Sequence, residues 1–388
     1  MLRSNLQTST RLGFHPPLTT TNFEEPSILL ASHGMSSWLP QSFDRPHQQI
    51  RVLWLTQKGL KSQIAIRTAV VELDSDIDFR ALSYTWGAQG VLHNISVDNQ
   101  DLPVGQNLYE ALQQLCTEAV NLPIWIDAIC INQNDASEKS FQVPLMGRIY
   151  SKASKVVVWL GAVPKESAFL PSPKSSSSLK WTPQKFQLSL KRLVFGDFVH
   201  RRCVIELLRR PYWRRVWIIQ ELLLSKNVEL RYGSSTIQWQ NLDESYKKLE
   251  IWRKDVGILP EKQEFQAFAA LSRAMKAPNH HSRDLLSLLR EHINSQCTEP
   301  RDRVFGMFGL AKECCIQCTE GVDYDIDFLE LLRRIWSHSF VHDNEQFYTS
   351  GFGAKYERGR LIHALDDGSS EYQAFKESLT SLEDNNIA

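Results

Sequence analysis

The chain has 388 residues, of which 42% are hydrophobic and 10% aromatic. A chain of this size can bury a large core, so we expect a globular protein with one large or two modest domains. Its 44 Lys and Arg residues balance its 44 Asp and Glu residues, which gives a formal net charge of +0. Without a net positive charge, neither nucleic acid nor an anionic membrane is an expected partner.

Residues 191–215 hold a local excess of basic side chains. We interpret this stretch as a solvated helix face in preference to a binding surface. No run of apolar residues reaches the roughly 20 that a transmembrane helix needs, so no membrane span is predicted.

The seven cysteines are an odd number, and the first residues lack the apolar segment of a secretory signal. This pattern indicates free thiols in a reducing compartment, and the cytoplasm is the expected location. Cys314, Cys315 and Cys318 contain one CxxC pair, but a second well-spaced pair is missing. No metal site is therefore predicted.

The first strands are predicted after a disordered lead over residues 1–48. "IRVLWL", "IAIRTAVVEL" and "FRALSYTWG" have the apolar patterns of strands, and Gly87 ends the third. "NISVDNQDLPVG" predicts a short hairpin.

The middle of the chain alternates between helical patterns and buried apolar runs. Asn107 and Glu110 form a capping-box signal, which predicts a helix over residues 107–119. Continuous apolar runs predict strands covered on both faces; they are "LPIWIDAICI", "SKVVVWLG" and "VELRYG". Helices are predicted between them, one over "RRPYWRRVWIIQELLLSKN" with Pro211 in its first turn. This alternation is typical of an α/β protein with a doubly wound parallel sheet and, here, hairpin insertions.

Two segments interrupt or extend this core. Residues 164–190 are rich in Ser and Pro and predict an exposed, dispensable insertion. "RDLLSLLREHI" and "EPRDRVFGMFGLA" predict a C-terminal helical appendage, in which Arg301 and Asp302 are expected to form an ion pair. The core with this appendage would span residues 49–330, followed by an extension over residues 331–388.

In open α/β sheets, ligands bind beyond the carboxyl ends of the strands. Residues 127–142 occupy such a place, with Asp127 at the strand end and a polar run behind it. The alternative is an ordinary turn, because Asn and Asp favour turns. The chain has no GxGxxG or GxxxxGK motif, so a Rossmann dehydrogenase or a P-loop NTPase is not expected.

Four segments occur in the motif order of one family; they are "FRALSYTWG", "LPIWIDAICINQNDASEKSFQVPLMGRIYSKASKVVVWLG", "RPYWRRVWIIQELLLSKNVELRYG" and "EPRDRVFGMFGLA". Over about residues 50–330 the chain thus resembles the fungal heterokaryon incompatibility (HET) domain. The resemblance implies a role in fungal non-self recognition, in which such domains trigger programmed cell death when incompatible hyphae fuse. Glu299 stands where the family usually has Asp. A tryptophan-rich segment that often follows is missing, so the C-terminal extension is expected to be truncated or divergent.

The HET core is similar in motif order to Toll/interleukin-1 receptor (TIR) domains, which implies a TIR-like, flavodoxin-like sheet. Some TIR domains cleave NAD between nicotinamide and ribose with a glutamate, and others only assemble. The resemblance places that glutamate at Glu221, so NAD is implied as a substrate and no cofactor is expected. A carboxylate near the ribose stabilises the oxocarbenium-like transition state of such a cleavage. The alternative is that Glu221 is a structural ion-pair partner, for Arg214 or for a base on another element.

Five residues are expected to contact the substrate; they are Ser83, Trp86, Gly87, Asp127 and Trp217. Gly87 would admit a ligand close to the backbone, and Trp86 is either a stacking ring or a core residue. Asp127 is either a partner of ribose hydroxyls or a cap of its own loop.

Two functions remain. One is an enzyme that destroys NAD to arrest or kill the cell. The other is a non-catalytic module that signals death by self-association or by binding a separate activating protein. Loss of NAD that depends on Glu221 would separate them.

Overall fold

The computed structural model describes residues 40–56, 63–87, 90–118, 121–163, 198–256, 265–277, 283–292, 294–335 and 337. The strands, β1 to β9 in chain order, are Gln49–Thr56, Ala65–Glu72, Arg80–Tyr84, Leu92–Val97, Gln100–Gly105, Ile124–Trp125, Lys155–Trp159, Val228–Tyr232 and Ser235–Gln238. The helices are Gln106–Cys116, Asp127–Cys130, Ala136–Gln142, Met146–Lys152, Phe198–Leu208, Ile218–Leu223, Trp239–Val256, Gln266–Ala274, Leu285–Glu291, Asp302–Phe305 and Glu313–Cys318. Val143–Leu145 and Pro211–Arg214 are 3-10 turns.

The nine strands found in the described residues form one sheet in the order β5-β4-β2-β1-β6-β3-β7-β8-β9. Its centre is parallel, because β3 pairs in parallel with β6 and β7, and β7 pairs in parallel with β8. The strands β3 and β7 are buried almost throughout, as expected where helices cover both faces. The strands predicted at "FRALSYTWG", "LPIWIDAICI", "SKVVVWLG" and "VELRYG" are therefore neighbours in one sheet, and each adjacent pair is parallel.

The outer parts of the sheet are mixed, so the prediction of a doubly wound parallel sheet is right only for the centre. β1 runs antiparallel to both β2 and β6, and β9 runs antiparallel to β8. The predicted hairpin is confirmed as β4 and β5, joined at Asp98 and Asn99 with φ of 50° and 65°, as a two-residue hairpin turn requires. The fold is thus α/β with a large mixed sheet, and the finer TIR-like arrangement stays a prediction.

The apolar run "LPIWIDAICI" does not form one long strand, contrary to the prediction. Its strand is the two-residue β6, and a short helix starts at Asp127. The Cys130 thiol accepts a hydrogen bond from the backbone N–H of Ile126, and Ile129 and Ile131 are buried with it. A buried helical turn satisfies the same apolar composition as a buried strand, which is why the pattern misled.

Asn107 does not cap the first long helix, although its position predicted a cap. The helix is Gln106–Cys116, and Gly105 precedes it without a side-chain cap. The Asn107 side chain instead donates to the carbonyl of Thr85 at 2.5 Å and accepts from the Trp159 indole at 2.9 Å. It therefore ties the end of β3 to the end of β7.

The single helix predicted around Pro211 is a 3-10 turn followed by a separate short helix, and the break has a clear cause. Arg215 is extended, with φ −69° and ψ 137°. The carbonyl of Arg214 and the N–H of Val216 both bond to the backbone of Gln296, a pairing that a continuous helix would forbid. The chain therefore leaves the 3-10 turn at Arg214 and resumes as Ile218–Leu223.

Several predicted segments lie outside the described residues: most of the lead (1–39), the Ser/Pro-rich insertion (164–190) and most of the C-terminal extension (338–388). The division into domains thus stays a prediction. In the appendage, both predicted helices form, but Arg301 pairs with Glu299 and not with Asp302. None of the helices in the described ranges is long and apolar enough to cross a membrane.

Candidate functional site

A cleft of about 360 Å³ opens at the carboxyl ends of β3 and β6. Its volume falls in the range of small-molecule sites. The lining comes from four parts of the chain: the end of β3, the segment after β6, the break before Ile218–Leu223, and the C-terminal appendage. The residues are Trp86, Gly87, Asp127, Ile131, Gln133, Lys139, Val143, Met146, Arg215, Trp217, Gln296, Cys297, Thr298, Glu299, Arg301, Asp302 and Tyr324.

Four of the six predicted site residues meet in this lining, namely Trp86, Gly87, Asp127 and Trp217. Gly87 has φ of +85°, which a residue with a side chain adopts only with strain. With this φ value the chain turns sharply after Trp86, just beyond the carboxyl end of β3. The described residues contain no group of three or more His, Cys, Asp or Glu placed to hold a metal ion.

One partly buried carboxylate of the cleft is held by the indole of Trp86, just after the end of β3. The Nε1 of Trp86 donates to Oδ2 of Asp127 at 2.9 Å, and the backbone N–H of Ala128 donates to Oδ1 at 2.7 Å. Burial raises the pKa of Asp127, and the charge of Arg215 and these two hydrogen bonds offset part of the rise. Trp86 is thus neither free to rotate nor a simple core residue, since its ring lines the cleft while its N–H fixes the acid.

A second carboxylate has the same type of partner and was not predicted. The Nε1 of Trp217 donates to Oδ2 of Asp302 at 3.0 Å, and the hydroxyl of Tyr324 donates to Oδ1 at 2.9 Å. Burial raises the pKa of Asp302 to about 6, against the effect of both hydrogen bonds. The only hint in the sequence was the Pro-Arg-Asp of the last motif, where we expected Asp302 to pair with Arg301.

Arg215 supplies the positive charge between these acids. Its guanidinium is buried and donates to the carbonyl of Tyr84. Its charge favours the ionised forms of three carboxyl groups, those of Asp127, Glu221 and Asp302. The arginine that acts on Glu221 is therefore Arg215, whereas the sequence suggested Arg214 or a base on another element.

Glu221 and Ser83 lie in the core beside the cleft and are not part of its lining. Each is only 1% exposed, and the Ser83 hydroxyl donates to the Glu221 carboxylate while lying 2.6 Å from the hydroxyl of Tyr212. Burial raises the pKa of Glu221 to about 7, which Arg215 and Ser83 partly offset and the charge of Asp127 reinforces. The side chains of Trp217 and Glu221 thus have different partners, although their spacing suggested one shared helix face.

The appendage wall carries a tight ion pair. Arg301 binds Glu299 with two bonds, Nε to Oε1 at 2.7 Å and Nη2 to Oε2 at 3.0 Å, and also donates to the carbonyls of Tyr324 and Ile326. Burial opposes ionisation of Glu299, but the bonds from Arg301 prevail and lower its pKa. On the facing wall the Lys139 ammonium lies 5.4 Å from the centre of the Tyr324 ring.

This arrangement has the chemical features of a binding site for a polar small molecule. Two indole rings give flat apolar surface, and two carboxylates with raised pKa values can accept hydrogen bonds from hydroxyls or stabilise a positive charge. The electrostatic effect of these groups is larger in a cleft shielded from water than on the surface.

Two comparisons with known proteins find similarity to the same family. Residues 79–221 match the sequence model of the family described as "Heterokaryon incompatibility protein (HET)". The chain is 28% identical over 289 residues to "Heterokaryon incompatibility protein 6, OR allele" of Neurospora crassa, an alignment that covers 60% of this chain and 42% of that protein. The chain thus spans less than half of the length of this relative. No solved structure matches the chain.

The family match includes Trp86, Asp127, Trp217 and Glu221, whereas Asp302 lies beyond its last residue. From the third strand to the helix that carries Glu221, this chain is therefore similar to the heterokaryon incompatibility (HET) family.

Proposed function

We propose that the chain acts in fungal heterokaryon incompatibility as a cytoplasmic effector of cell death, and that its cleft hydrolyses NAD at the nicotinamide–ribose bond. The family match and the name of the Neurospora relative support the biological role. Cys116, Cys130, Cys203, Cys297, Cys314 and Cys315 are thiols and not disulfides, which suits a reducing compartment.

The observation that carries the chemistry is the presence of two partly buried carboxylates, each held by a tryptophan, in one cleft. In NAD hydrolysis the bond between ribose C1′ and the nicotinamide nitrogen breaks, and its electron pair leaves with a neutral nicotinamide. Positive charge develops on the ribose, and a nearby carboxylate stabilises it. Water then adds to C1′ and loses a proton, so the products are nicotinamide, ADP-ribose and a proton.

The two cleft acids suit these tasks. In the proposal Asp127 binds the ribose hydroxyls and supports the developing charge, because its hydrogen bonds fix it in place. Asp302 accepts the proton of the attacking water, since a group with a pKa of about 6 is a competent base near neutral pH. The indole faces of Trp86 and Trp217 hold the nicotinamide and exclude water.

The resemblance to TIR domains assigns the catalytic carboxylate to Glu221, whereas the geometry favours the acids that line the cleft. Glu221 lies within the electrostatic reach of Asp127 and Arg215. In the proposal it therefore acts through the charge of Arg215, and its substitution should lower the rate less than substitution of Asp127.

Expression in fungal cells tests the biological half of the proposal, with growth and cellular NAD measured together. The wild-type chain should deplete NAD and arrest growth, whereas Asp127→Asn should do neither while accumulating to the same level. Asp74→Asn is the matched control, since Asp74 is exposed, pairs with Arg148 and Lys152, and does not line the cleft. Growth arrest by a folded Asp127→Asn variant, with NAD intact, would favour the non-catalytic module.

A further inference from the structure

We propose that Lys139 forms a phosphate subsite at the cleft, so that the substrate is a phosphorylated riboside and not a free nucleoside. This inference rests on the proposed function and names the chemical class that the cleft selects. The phosphate would be the one attached to the ribose 5′ position, next to the bond that breaks.

The charges of the cleft leave Lys139 as the cation available to a ligand. Three cations line the cleft, and Arg301 is already bound by both oxygens of Glu299. Arg215 is buried, donates to a backbone carbonyl, and is shared among three carboxyl groups. Among the described residues, no carboxylate oxygen lies within 4.0 Å of the Lys139 ammonium, which faces the Tyr324 ring instead.

The helix that carries Lys139 is held firmly, so its ammonium is presented to the cleft by a fixed backbone. The neighbouring Glu138 accepts from Nη2 of Arg51 at 2.8 Å and from the N–H of Asn132 at 2.6 Å. Asp135 caps the helix by accepting from the N–H of Glu138 at 3.0 Å. A pre-organised cation loses less entropy on binding an anion than a lysine on a mobile loop.

Tyr324 sets the distance between the acidic and the basic parts of the cleft. Its hydroxyl donates to Asp302, and its ring faces Lys139. The two charged groups are therefore separated by about one phenol ring. A nicotinamide nucleotide has the same polarity, because its cationic ring lies on one side of the ribose and its phosphate on the other. With the ring near Asp127 and Asp302, the phosphate would extend towards Lys139.

Two ligands that differ only in the phosphate test the subsite directly. Nicotinamide mononucleotide and nicotinamide riboside are titrated into the purified full chain by calorimetry, and the mixtures are then analysed for free nicotinamide. The mononucleotide should bind wild type at least about 10-fold more tightly, the usual effect of one hydrogen bond to a charged group. Lys139→Met should remove this preference and leave binding of the riboside unchanged. Lys139→Arg should retain most of it.

A control variant and separate readouts keep the inference distinct from the proposed function. Lys226→Met removes one exposed positive charge outside the cleft lining and should leave the preference intact. Equal binding of the two ligands to wild type, a preference that survives Lys139→Met, or no binding of either ligand would each overturn the subsite. Phosphate-dependent binding of the mononucleotide, with no release of nicotinamide from NAD assayed in parallel, would support the subsite and overturn the proposed hydrolysis.

Discussion

The ion pair between Arg51 and Glu138 is expected to anchor one wall of the cleft, and breaking it should be costly. The Arg51 side chain is 1% exposed and that of Glu138 is 11% exposed, and both guanidinium Nη atoms bond to the carboxylate. Glu138→Gln keeps the size of the side chain but leaves a buried guanidinium without its counter-charge. Removal of one partner of a buried pair typically costs about 3–5 kcal/mol.

The lower part of that range is expected here. In the variant Arg51 still donates to the carbonyls of Cys130 and Gln41, at 2.9 and 2.7 Å, and still faces the Phe43 ring at 4.1 Å. These contacts satisfy two of its five N–H groups and do not neutralise its charge. We therefore predict a loss of about 3 kcal/mol in the free energy of unfolding.

Urea denaturation followed by tryptophan fluorescence measures this loss, with Asp74→Asn as the control. Asp74 also pairs with two cations, but its side chain is 63% exposed, so its pairs are screened by water and the midpoint should not move. If Glu138→Gln shifted the urea midpoint no more than Asp74→Asn does, the reasoning that this pair anchors the wall would be refuted.

Two further predictions concern a buried acid and a close packing contact. Because the pKa of Glu221 is about 7 when folded against an ordinary 4.5, the folded state retains a proton that the unfolded state loses; the free energy of unfolding should therefore fall as pH rises from about 4.5 to 7. Urea midpoints between pH 5 and 8 should show this fall, to which Asp302 also contributes because its pKa is raised to about 6. Glu221→Gln should therefore make the fall smaller; an unchanged slope in that variant would show that other groups are responsible. A Cβ at Gly309 would lie 2.6 Å from Oε1 of Gln220 and 3.0 Å from the Cα of Gly147, so Gly309→Ala should destabilise by about 1–3 kcal/mol through overpacking. A melting temperature equal to that of wild type would mean that this contact relaxes freely.

The central strands and one side of the cleft could be predicted because their signals are local. β3 and β7 are buried on both faces and therefore read as uninterrupted apolar runs. The rule that ligands bind at the carboxyl edge of parallel strands then located Trp86 and Asp127. The predicted length of β6 was wrong, because a short apolar run does not distinguish a strand from a buried helical turn.

The other side of the cleft could not be predicted, because long-range pairing builds it. Gln296 bonds to the backbone on both sides of Arg215, and this brings the appendage against the break before Ile218–Leu223. No local pattern encodes a contact across about eighty residues of chain. The same contact brings the charge of Arg215 close to the carboxyl groups of the cleft and places Asp302 beside Trp217. The prediction of one continuous helix over this stretch is compatible neither with this position of Arg215 nor with the contact between Asp302 and Trp217.

Release of nicotinamide from NAD by the purified chain tests the central claim most directly. The chain would be assayed as a monomer and after artificial clustering, with wild type, Asp127→Asn, Asp302→Asn and Asp74→Asn compared at equal concentration. We predict equimolar nicotinamide and ADP-ribose from wild type and from Asp74→Asn, and a rate about 100 to 1,000-fold lower for Asp127→Asn, the typical effect of losing one electrostatic partner of the transition state. Absence of nicotinamide in both the monomeric and the clustered state, or an unchanged rate in both cleft-acid variants, would contradict the account.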